Sequence, residues 1–259
     1  MNLNLTNKTA VVTGASRGIG LATVRTLIGE GVRVVGAART ITTELKETGA
    51  HAVSADLSTA EGVSALIDSA LAELGGIDLL VNNVGGGDKA SLGFLDADDT
   101  EWTHMFDINV LSTVRTTRAA LPSLIERRGA IVNISSITAR MPVGHPATYS
   151  SAKAALATLG KSLAEEFGPR GVRVNTVSPG LVRTPVYEDP DGPVGKLAAA
   201  AGMSLAEMVQ QIARAQNITT GRMSEAEEVA ALIAFLLSDV AGNITGANYV
   251  IDGGTIKTV

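Results

Sequence analysis

Short apolar runs that read as β-strands alternate with longer segments of helical pattern along this 259-residue chain. The runs at Ala10–Val12 and Leu79–Val81 are apolar at consecutive positions, which is typical of strands covered on both faces of a sheet. Strands that alternate with helices favour parallel pairing through right-handed crossovers. The sequence therefore predicts an α/β fold with a doubly wound, seven-stranded parallel sheet and helices on both of its faces.

This alternation predicts seven strands and six helices, with glycines such as Gly29 and Gly49 close to the helix ends. The predicted strands are Thr9–Thr13, Val32–Ala37, Ala52–Ala55, Leu79–Asn82, Ala130–Ile134, Val172–Val177 and Tyr249–Ile251. The predicted helices are Ile19–Ile28, Ile41–Thr48, Ala60–Leu74, Glu101–Arg127, Thr148–Phe167 and Ala226–Leu237.

One stretch, Thr184–Thr220, interrupts the alternation before the last helix and strand. It carries several prolines and a helix-like segment at Leu205–Ala215. An insertion of this length inside a domain is typical of a lid or substrate loop. We therefore expect residues 1–259 to form one domain, with a substrate lid at about 184–220.

Charge and cysteine content exclude several classes of function. The 21 basic and 26 acidic residues give a net charge of −5, and no basic run is present, so neither nucleic acid nor a membrane surface is an expected partner. With no cysteine and three widely separated histidines, the sequence predicts neither a disulfide nor a metal site. The first residues do not form a secretory signal, so we expect a cytoplasmic protein.

The first predicted strand runs directly into a glycine-rich turn that reads TGASRGIG at Thr13–Gly20. Glycines let the backbone turn sharply and approach a pyrophosphate closely, and the N-terminus of the following helix favours negative charge. The spacing differs from the GxGxxG fingerprint, and a tight strand–helix turn is the alternative. Its place at the start of a βαβ unit favours a dinucleotide site. The candidate cofactor-binding residues in this turn are Gly14, Ser16, Arg17, Gly18, Ile19 and Gly20.

The end of the second predicted strand indicates which dinucleotide binds. A carboxylate that binds the ribose hydroxyls of NAD often stands there, whereas this chain has Ala38 followed by Arg39. A guanidinium suits a 2′-phosphate, and Arg17 offers a second cation. Two solvated surface arginines are the alternative. The sequence therefore favours NADP(H) over NAD(H) as the cofactor.

The third and fourth predicted strands end in polar residues, at the edge where ligands of open parallel sheets bind. Asp56 follows the third strand, although it can equally be a helix cap for the Ser58-Thr59 turn. Asn83 follows the fourth strand, although it can be a turn residue only. The candidate cofactor-binding residues at these strand ends are Asp56, Leu57, Asn83, Val84 and Gly85.

Tyr149 and Lys153 open a predicted helix with four-residue spacing, which places both side chains on one helix face. A phenol titrates near pH 10 in water, and a nearby cation lowers that pKa toward the range useful for proton transfer. The fifth predicted strand ends in Ser135 and Ser136, and a serine there can hydrogen-bond a substrate oxygen. Strand alternation aims only one of the two into the crevice without deciding which, and a buried structural serine is the alternative for either.

Together these motifs make the chain resemble the short-chain dehydrogenases/reductases, whose pattern it follows from Thr9 to Gly254. The matching segments are TGASRGIG at Thr13–Gly20, Asp56-Leu57, NNVG at Asn82–Gly85, Asn109, Ser136, Tyr149 with Lys153, Pro179-Gly180 through Thr184, and Asp252-Gly253-Gly254. The resemblance implies a Rossmann-type sandwich that binds NADP(H) and assembles as a homotetramer or homodimer. It adds four cofactor-binding residues, which are Pro179, Gly180, Val182 and Thr184.

The resemblance also implies a catalytic tetrad of Asn109, Ser136, Tyr149 and Lys153, and its serine–tyrosine spacing selects Ser136. Tyr149 would protonate a carbonyl oxygen as hydride arrives from C4 of the nicotinamide, while Ser136 holds that oxygen. Lys153 would bind the nicotinamide ribose, in addition to lowering the pKa of Tyr149. Asn109 would hold a water that links Lys153 to solvent.

The expected function is an NADP(H)-dependent interconversion of a ketone and a secondary alcohol. A non-catalytic dinucleotide-binding regulatory protein is the alternative. Within the enzyme class, a 3-oxoacyl-thioester reductase competes with a reductase or dehydrogenase for alcohols, sugars, steroids or polyketides.

The substrate would be selected mainly by three loops, at Gly86–Leu95, Ala139–Pro146 and Thr184–Thr220. The chain departs from the family pattern beside the first loop, where Val84 replaces the usual alanine and Gly86-Gly87 lengthen the glycine run. Apolar residues in the loops indicate either a partly apolar pocket or ordinary core packing. These residues are Met141, Val143, Val186, Tyr187, Met203 and Met208.

Overall fold

The computed structural model describes residues 2–86, 93–142 and 146–258. The strands in these ranges are β1 Thr9–Thr13, β2 Arg33–Ala38, β3 His51–Ser54, β4 Leu79–Asn82, β5 Ala130–Ile134, β6 Arg173–Pro179, β7 Val182–Arg183, β8 Ser224–Glu225 and β9 Asn248–Ile251. Seven of them form one parallel sheet in the order β3-β2-β1-β4-β5-β6-β9, while β7 pairs with β8. The predicted seven-stranded parallel sheet is confirmed.

Helices cover both faces of this sheet, as expected for a doubly wound fold. They are α1 Gly18–Gly29, α2 Thr43–Glu47, α3 Ala60–Leu74, α4 Asp99–Phe106, α5 Ser112–Glu126, α6 Ala147–Phe167, α7 Pro185–Glu188, α8 Pro193–Ala200, α9 Leu205–Ala215 and α10 Ala226–Leu237. Within the described ranges, no helix has both the length and the apolar character needed to cross a membrane.

The consecutive apolar residues of β1 serve two separate hydrophobic clusters. Val12 belongs to the cluster that includes Leu27 of α1 and Ile233 of α10. Val11 points to the opposite face and joins the cluster that includes Leu66 of α3 and Leu124 of α5. Because side chains alternate along a strand, only a sheet covered on both faces buries both valines.

The predicted helix Glu101–Arg127 is wrong as one continuous helix. The chain instead forms α4, a π-helical turn at Asp107–Leu111, and then α5. A π-helical turn accommodates one extra residue, and such turns are frequent at functional sites. In this turn, Nδ2 of Asn109 donates to the carbonyl oxygen of Met105 at 3.0 Å. The prediction failed because one extra residue barely changes the helical periodicity of the sequence, from which the long helix was predicted.

The lid segment, residues 184–220, forms the helices α7, α8 and α9, of which only α9 was predicted. These helices share a small apolar core of Val194, Ala198 and Met208. This core is separate from the two clusters that flank the sheet. The lid segment therefore has its own packing.

The far end of the lid segment is tied to the C-terminal residues. Nζ of Lys257 donates to the carbonyl oxygen of Asn217 at 2.9 Å and to Oγ1 of Thr219 at 2.7 Å. Oγ1 of Thr219 in turn donates to the carbonyl oxygen of Gly254 at 2.8 Å. These bonds fix the point at which the lid segment rejoins the sheet.

Candidate active site and cofactor cradle

The carboxyl ends of β1 and β4 lie next to each other where the strand order reverses, which is the ligand crevice of a doubly wound sheet. Oγ1 of Thr13 accepts from the backbone N–H groups of Asn83 and Val84, at 2.9 and 3.0 Å. Nδ2 of Asn83 donates to the carbonyl oxygens of Thr13 and Gly14, at 3.0 and 3.1 Å. Asn83 therefore braces the glycine turn. Thr13 was not among the predicted cofactor-binding residues, although it begins the matching TGASRGIG segment at the end of the first strand.

The glycines of the turn are required where the backbone folds back on itself. Gly14 and Gly18 have φ values of +65° and +54°, which side-chain-bearing residues rarely adopt. A Cβ at Gly20 would overlap the carbonyl oxygen of Gly14. Arg17, which precedes α1, provides no side-chain cap to the helix. The first N–H groups of α1 are thus left without that partner, as an anion site requires.

Four of the predicted cofactor contacts have side chains that support the crevice from inside. Oγ of Ser16 donates to the carbonyl oxygen of Thr40 at 2.6 Å. Ile19 packs against one core cluster, whereas Leu57 and Val84 pack in or against the other. These side chains fix the path of the backbone that lines the crevice.

Arg39 and Asp56 lie within electrostatic reach of each other at the ends of β2 and β3. Ser58 donates to Oδ1 of Asp56 from its backbone nitrogen at 3.0 Å and from its hydroxyl at 2.7 Å. These bonds, with smaller effects of Arg39 and His104, hold the pKa of Asp56 below its usual value. Asp56 therefore caps the Ser58-Thr59 turn, as the alternative expected, while Thr59 supplies the side chain that caps α3 itself.

The backbone after β4 passes between two of the predicted catalytic side chains. A Cβ on Gly85 would lie 2.7 Å from Oδ1 of Asn109 and 2.8 Å from Nζ of Lys153. Asn109 is fully buried, and its amide pairs with the backbone of Gly86 through bonds of 3.1 and 3.0 Å. A side chain at Gly85 would therefore fill the gap between Asn109 and Lys153.

Ser136, and not Ser135, faces the phenol of Tyr149. Oγ of Ser135 donates to the carbonyl oxygen of Lys153 at 2.8 Å, inside the protein. Oγ of Ser136 accepts from the backbone N–H of Thr138 at 3.2 Å and also hydrogen-bonds Tyr149. The two serines thus point in opposite directions, as strand alternation requires.

Burial shifts the pKa values of Tyr149 and Lys153 in opposite directions. Nζ of Lys153 donates to the carbonyl oxygen of Ile134 at 3.0 Å and lies 5.7 Å from the centre of the Tyr149 ring. Burial lowers the pKa of Lys153 to about 8. Burial also raises the pKa of Tyr149 to about 12, although the bond from Ser136 lowers it and Tyr187 raises it further. The expected lowering of the Tyr149 pKa is wrong for this arrangement, because burial outweighs the other contributions.

The chain leaves β6 through four predicted cofactor contacts, Pro179, Gly180, Val182 and Thr184. A Cβ at Gly180 would lie 2.8 Å from Cβ of Asp252, so this turn packs closely on the C-terminal residues. Val182 is buried in a core cluster. Cγ2 of Thr184 would lie 3.1 Å from a Cβ at Gly18. The lid segment therefore begins directly against the glycine turn.

Two of the three predicted substrate loops are described only in part. Residues 87–92 and 143–145, which include Val143, lie outside the described residues. Met203 and Met208 pack with Tyr187 inside the lid core, so core packing accounts for both methionines. Within the described ranges, no group of side chains is arranged to hold a metal ion.

Known proteins are similar to this chain both in sequence and in the arrangement of helices and strands. Residues 14–255 match the family described as Enoyl-(Acyl carrier protein) reductase, a branch of the short-chain dehydrogenases/reductases. The 3beta-hydroxysteroid dehydrogenase 1 of Eggerthella lenta is 34% identical, over 97% of this chain and 94% of its own length. The 3-oxoacyl-(acyl-carrier-protein) reductase of Escherichia coli strain K12 is also 34% identical, over 97% of this chain and 98% of its own length.

A solved structure extends the likeness to three dimensions. The crystal structure of L-sorbose reductase from Gluconobacter frateurii, complexed with NADPH and L-sorbose, matches with a TM-score of 0.93 and 33% identity. The match covers 100% of both chains. The protein therefore belongs to the short-chain dehydrogenase/reductase family of oxidoreductases.

Proposed function

We propose that the protein is an NADP(H)-dependent oxidoreductase that interconverts a ketone and a secondary alcohol, with Tyr149 as the general acid and base. The observation that carries this proposal is the convergence of Asn109, Ser136, Tyr149 and Lys153 beside the glycine turn. A protein that only bound a dinucleotide would gain nothing from a serine hydroxyl aimed at a partly buried phenol at this edge. Catalysis accounts for that pair, because both groups can serve one substrate oxygen.

The glycine turn supports a dinucleotide as the cofactor. It combines a close backbone turn at Gly14 and Gly20 with a helix N-terminus that favours a pyrophosphate. Arg17 and Arg39 are exposed, and Ala38 leaves no carboxylate to repel a 2′-phosphate. The sorbose reductase was solved with NADPH. When bound, NADPH supplies the hydride that reduces the carbonyl carbon.

The tetrad divides the remaining work among its members. Tyr149 donates a proton to the carbonyl oxygen, and its raised pKa of about 12 keeps the phenol protonated at neutral pH, as an acid requires. Ser136 holds the same oxygen and stabilises the charge that develops on it. Lys153, with a pKa of about 8, remains largely charged at pH 7 and favours the phenolate left after proton transfer. Asn109 fixes the backbone that borders Lys153, where a water could link the ammonium to solvent.

We extend the proposal to a small carbonyl or alcohol as the substrate. The relatives are named for a steroid, an acyl-carrier thioester and a sugar, so their names support the carbonyl–alcohol pair rather than one carbon skeleton. A homotetramer or homodimer, a cytoplasmic location and the absence of nucleic-acid and membrane partners remain part of the proposal.

The test is NADPH oxidation by the purified protein with a panel of carbonyl compounds. The panel contains a simple ketone, an acetoacetyl thioester, a 3-oxosteroid and a ketose, with a crotonyl thioester to detect reduction of a carbon–carbon double bond. We expect turnover with at least one ketone. Tight NADPH binding without turnover of any compound would leave the regulatory binding protein as the better explanation.

A further inference from the structure

The guanidinium of Arg115, on α5, joins two segments at the carboxyl edge of the sheet. Its Nη1 donates to the carbonyl oxygen of Ser58 at 2.6 Å, in the turn between β3 and α3. Its Nη2 donates to Oδ1 of Asp107 at 3.3 Å, at the start of the π-helical turn Asp107–Leu111. Both side chains of this ion pair are less than one-third exposed, so solvent screens it less than a surface pair. The proposed mechanism gives Arg115 no part.

The turn that receives Nη1 of Arg115 is itself fixed by local hydrogen bonds. Oδ1 of Asp56 accepts from the backbone nitrogen of Ser58 at 3.0 Å and from its hydroxyl at 2.7 Å. Oγ1 of Thr59 donates to the carbonyl oxygen of Asp56 at 2.9 Å, and the same oxygen atom of Thr59 caps α3. The turn between β3 and α3 therefore offers Arg115 a firm anchor that is separate from α4 and α5.

The π-helical turn at the other end of Arg115 carries Asn109 of the proposed tetrad. Within the turn, Nδ2 of Asn109 donates to the carbonyl oxygen of Met105 at 3.0 Å, and Oγ of Ser112 donates to that of Ile108 at 2.6 Å. A change to α-helical geometry would rotate Asn109 by about 100° around the helix axis, since each α-helical residue turns by that amount. The Asn109 amide would then leave the backbone of Gly86, to which it now forms two bonds.

We propose that Arg115 is a positioning residue for the reaction. By holding Asp107 to the turn at Ser58, it keeps the π-helical turn in place and Asn109 directed at the backbone beside Lys153. This inference rests on the proposed function, in which Asn109 belongs to the tetrad. Because Arg115 acts through Asn109, its effect falls on turnover and not on NADPH binding.

Arginine is suited to this position because its planar fork presents two Nη atoms, which here reach oxygens on two different segments. A lysine keeps the positive charge but presents a single nitrogen. We therefore expect Arg115→Lys to replace the two bonds only in part.

The experiment measures kcat with NADPH and the ketone that the wild type reduces best, together with the Kd of NADPH by fluorescence titration. Arg115→Met should lower kcat by about 10-fold or more, as small displacements of catalytic groups do, and change the Kd of NADPH by less than about threefold. Arg115→Lys should retain an intermediate kcat. Arg118→Met, at an exposed position about one turn further along α5, is the matched control and should keep the wild-type values.

A double-variant cycle separates positioning from a general structural role. If Arg115 acts through Asn109, adding Arg115→Met to Asn109→Ala should lower kcat by less than about twofold, because the group that it positions is already gone. A purely structural role would lower kcat by the same factor in both backgrounds. Asp107→Ala breaks the ion pair from its other side and should also lower kcat, so the test does not depend on the folding of one variant.

The outcomes separate this inference from the proposed function. An unchanged kcat in Arg115→Met and Asp107→Ala, a loss confined to NADPH affinity, or equal factors in both backgrounds of the cycle overturns the role of Arg115 and leaves the ketone reductase standing. A wild-type enzyme that oxidises NADPH with none of the ketones overturns the proposed function, and this inference with it.

Discussion

At the scale of single residues, burial gives Tyr149 and Lys153 opposite pKa shifts for one physical reason. An environment of low dielectric disfavours the charged form of each group, so the pKa of the phenol rises and that of the ammonium falls. At neutral pH this leaves a protonated phenol beside a largely charged amine. The pair is therefore prepared to donate a proton, which is the reductive direction of the proposed reaction.

The first prediction concerns the phenol itself. Tyr149→Phe should lower kcat by ~10²–10⁴-fold while NADPH affinity stays close to that of the wild type, because the ring remains and only the proton donor is removed. Steady-state rates and a fluorescence titration with NADPH measure the two quantities. A variant that retains a tenth or more of the wild-type rate on the true substrate would refute the mechanism.

The second prediction concerns the stability cost of Lys153. Its pKa falls from 10.5 in the unfolded chain to about 8 in the protein, so the folded state binds the proton more weakly. The free-energy cost of burying the charged amine is fully present below pH 8 and disappears as the pH rises to about 10.5. At about 1.4 kcal/mol per pKa unit, this free-energy cost amounts to about 3.5 kcal/mol. Lys153→Met should therefore raise the free energy of unfolding at pH 7 while abolishing activity.

Urea unfolding of the wild type and of Lys153→Met at pH 7 and pH 10 measures this difference. Tyr149 titrates in both proteins, so its contribution largely cancels when the two are compared at one pH. The extra free energy of unfolding of Lys153→Met over the wild type should be smaller at pH 10 than at pH 7. An equal gain at both pH values would mean that burial of the charge is not its cause.

The third prediction tests the cofactor preference. Arg39→Asp combined with Arg17→Ala should reverse the ratio of NADPH to NADH affinity, because a carboxylate repels the 2′-phosphate and accepts bonds from ribose hydroxyls. Titration of both dinucleotides gives the ratio. Arg25→Ala removes a positive charge from the exposed side of α1 and should leave the preference intact. An unchanged ratio in the double variant would contradict the NADP assignment.

At the scale of elements, the strands and the long helices were predictable because their apolar patterns have direct physical meaning. The burial of Val11 and Val12 on opposite faces is what produces a run of apolar residues. The π-helical turn at Asp107–Leu111 was not predictable, since one inserted residue barely disturbs a helical pattern. The short helices α7 and α8 were missed because each is too brief to show a period and begins with proline.

The residues of the candidate site were predictable where they are close in sequence, and not where distant segments meet. Four-residue spacing correctly indicates that Tyr149 and Lys153 lie near each other, and the structure places them so. The residues alone left Ser135 and Ser136 as alternatives, since strand alternation has no absolute direction without the fold. The bracing role of Thr13 depends on its bonds with Asn83 and Val84, which are distant in sequence, so no local pattern contains it.

The fourth prediction concerns the lid segment, which we expect to be mobile without ligand and to order over cofactor and substrate. Its small separate core, and its attachment to the C-terminal residues through Lys257, Thr219 and Thr220, favour motion as a unit. Limited proteolysis should cut the segment in the free protein and much less with NADPH and substrate present. Lys257→Met should speed cleavage of the free protein. Equal cleavage with and without ligands would contradict a lid.

At the scale of the whole molecule, the fifth prediction is a homotetramer or homodimer rather than a monomer. Two surfaces are available for contact: the helical layer that includes Leu111, which is 39% exposed, and the edge strand β9, whose residues are only partly buried. Burying apolar surface of this kind stabilises association, and β9 has an open hydrogen-bonding edge. Sedimentation of the wild type at micromolar concentration should give a multiple of 26.5 kDa.

Leu111→Arg and Tyr249→Arg should each weaken one contact, so a tetramer that becomes a dimer in either variant identifies the surface responsible. A single 26.5 kDa species in the wild type would show that neither surface is used.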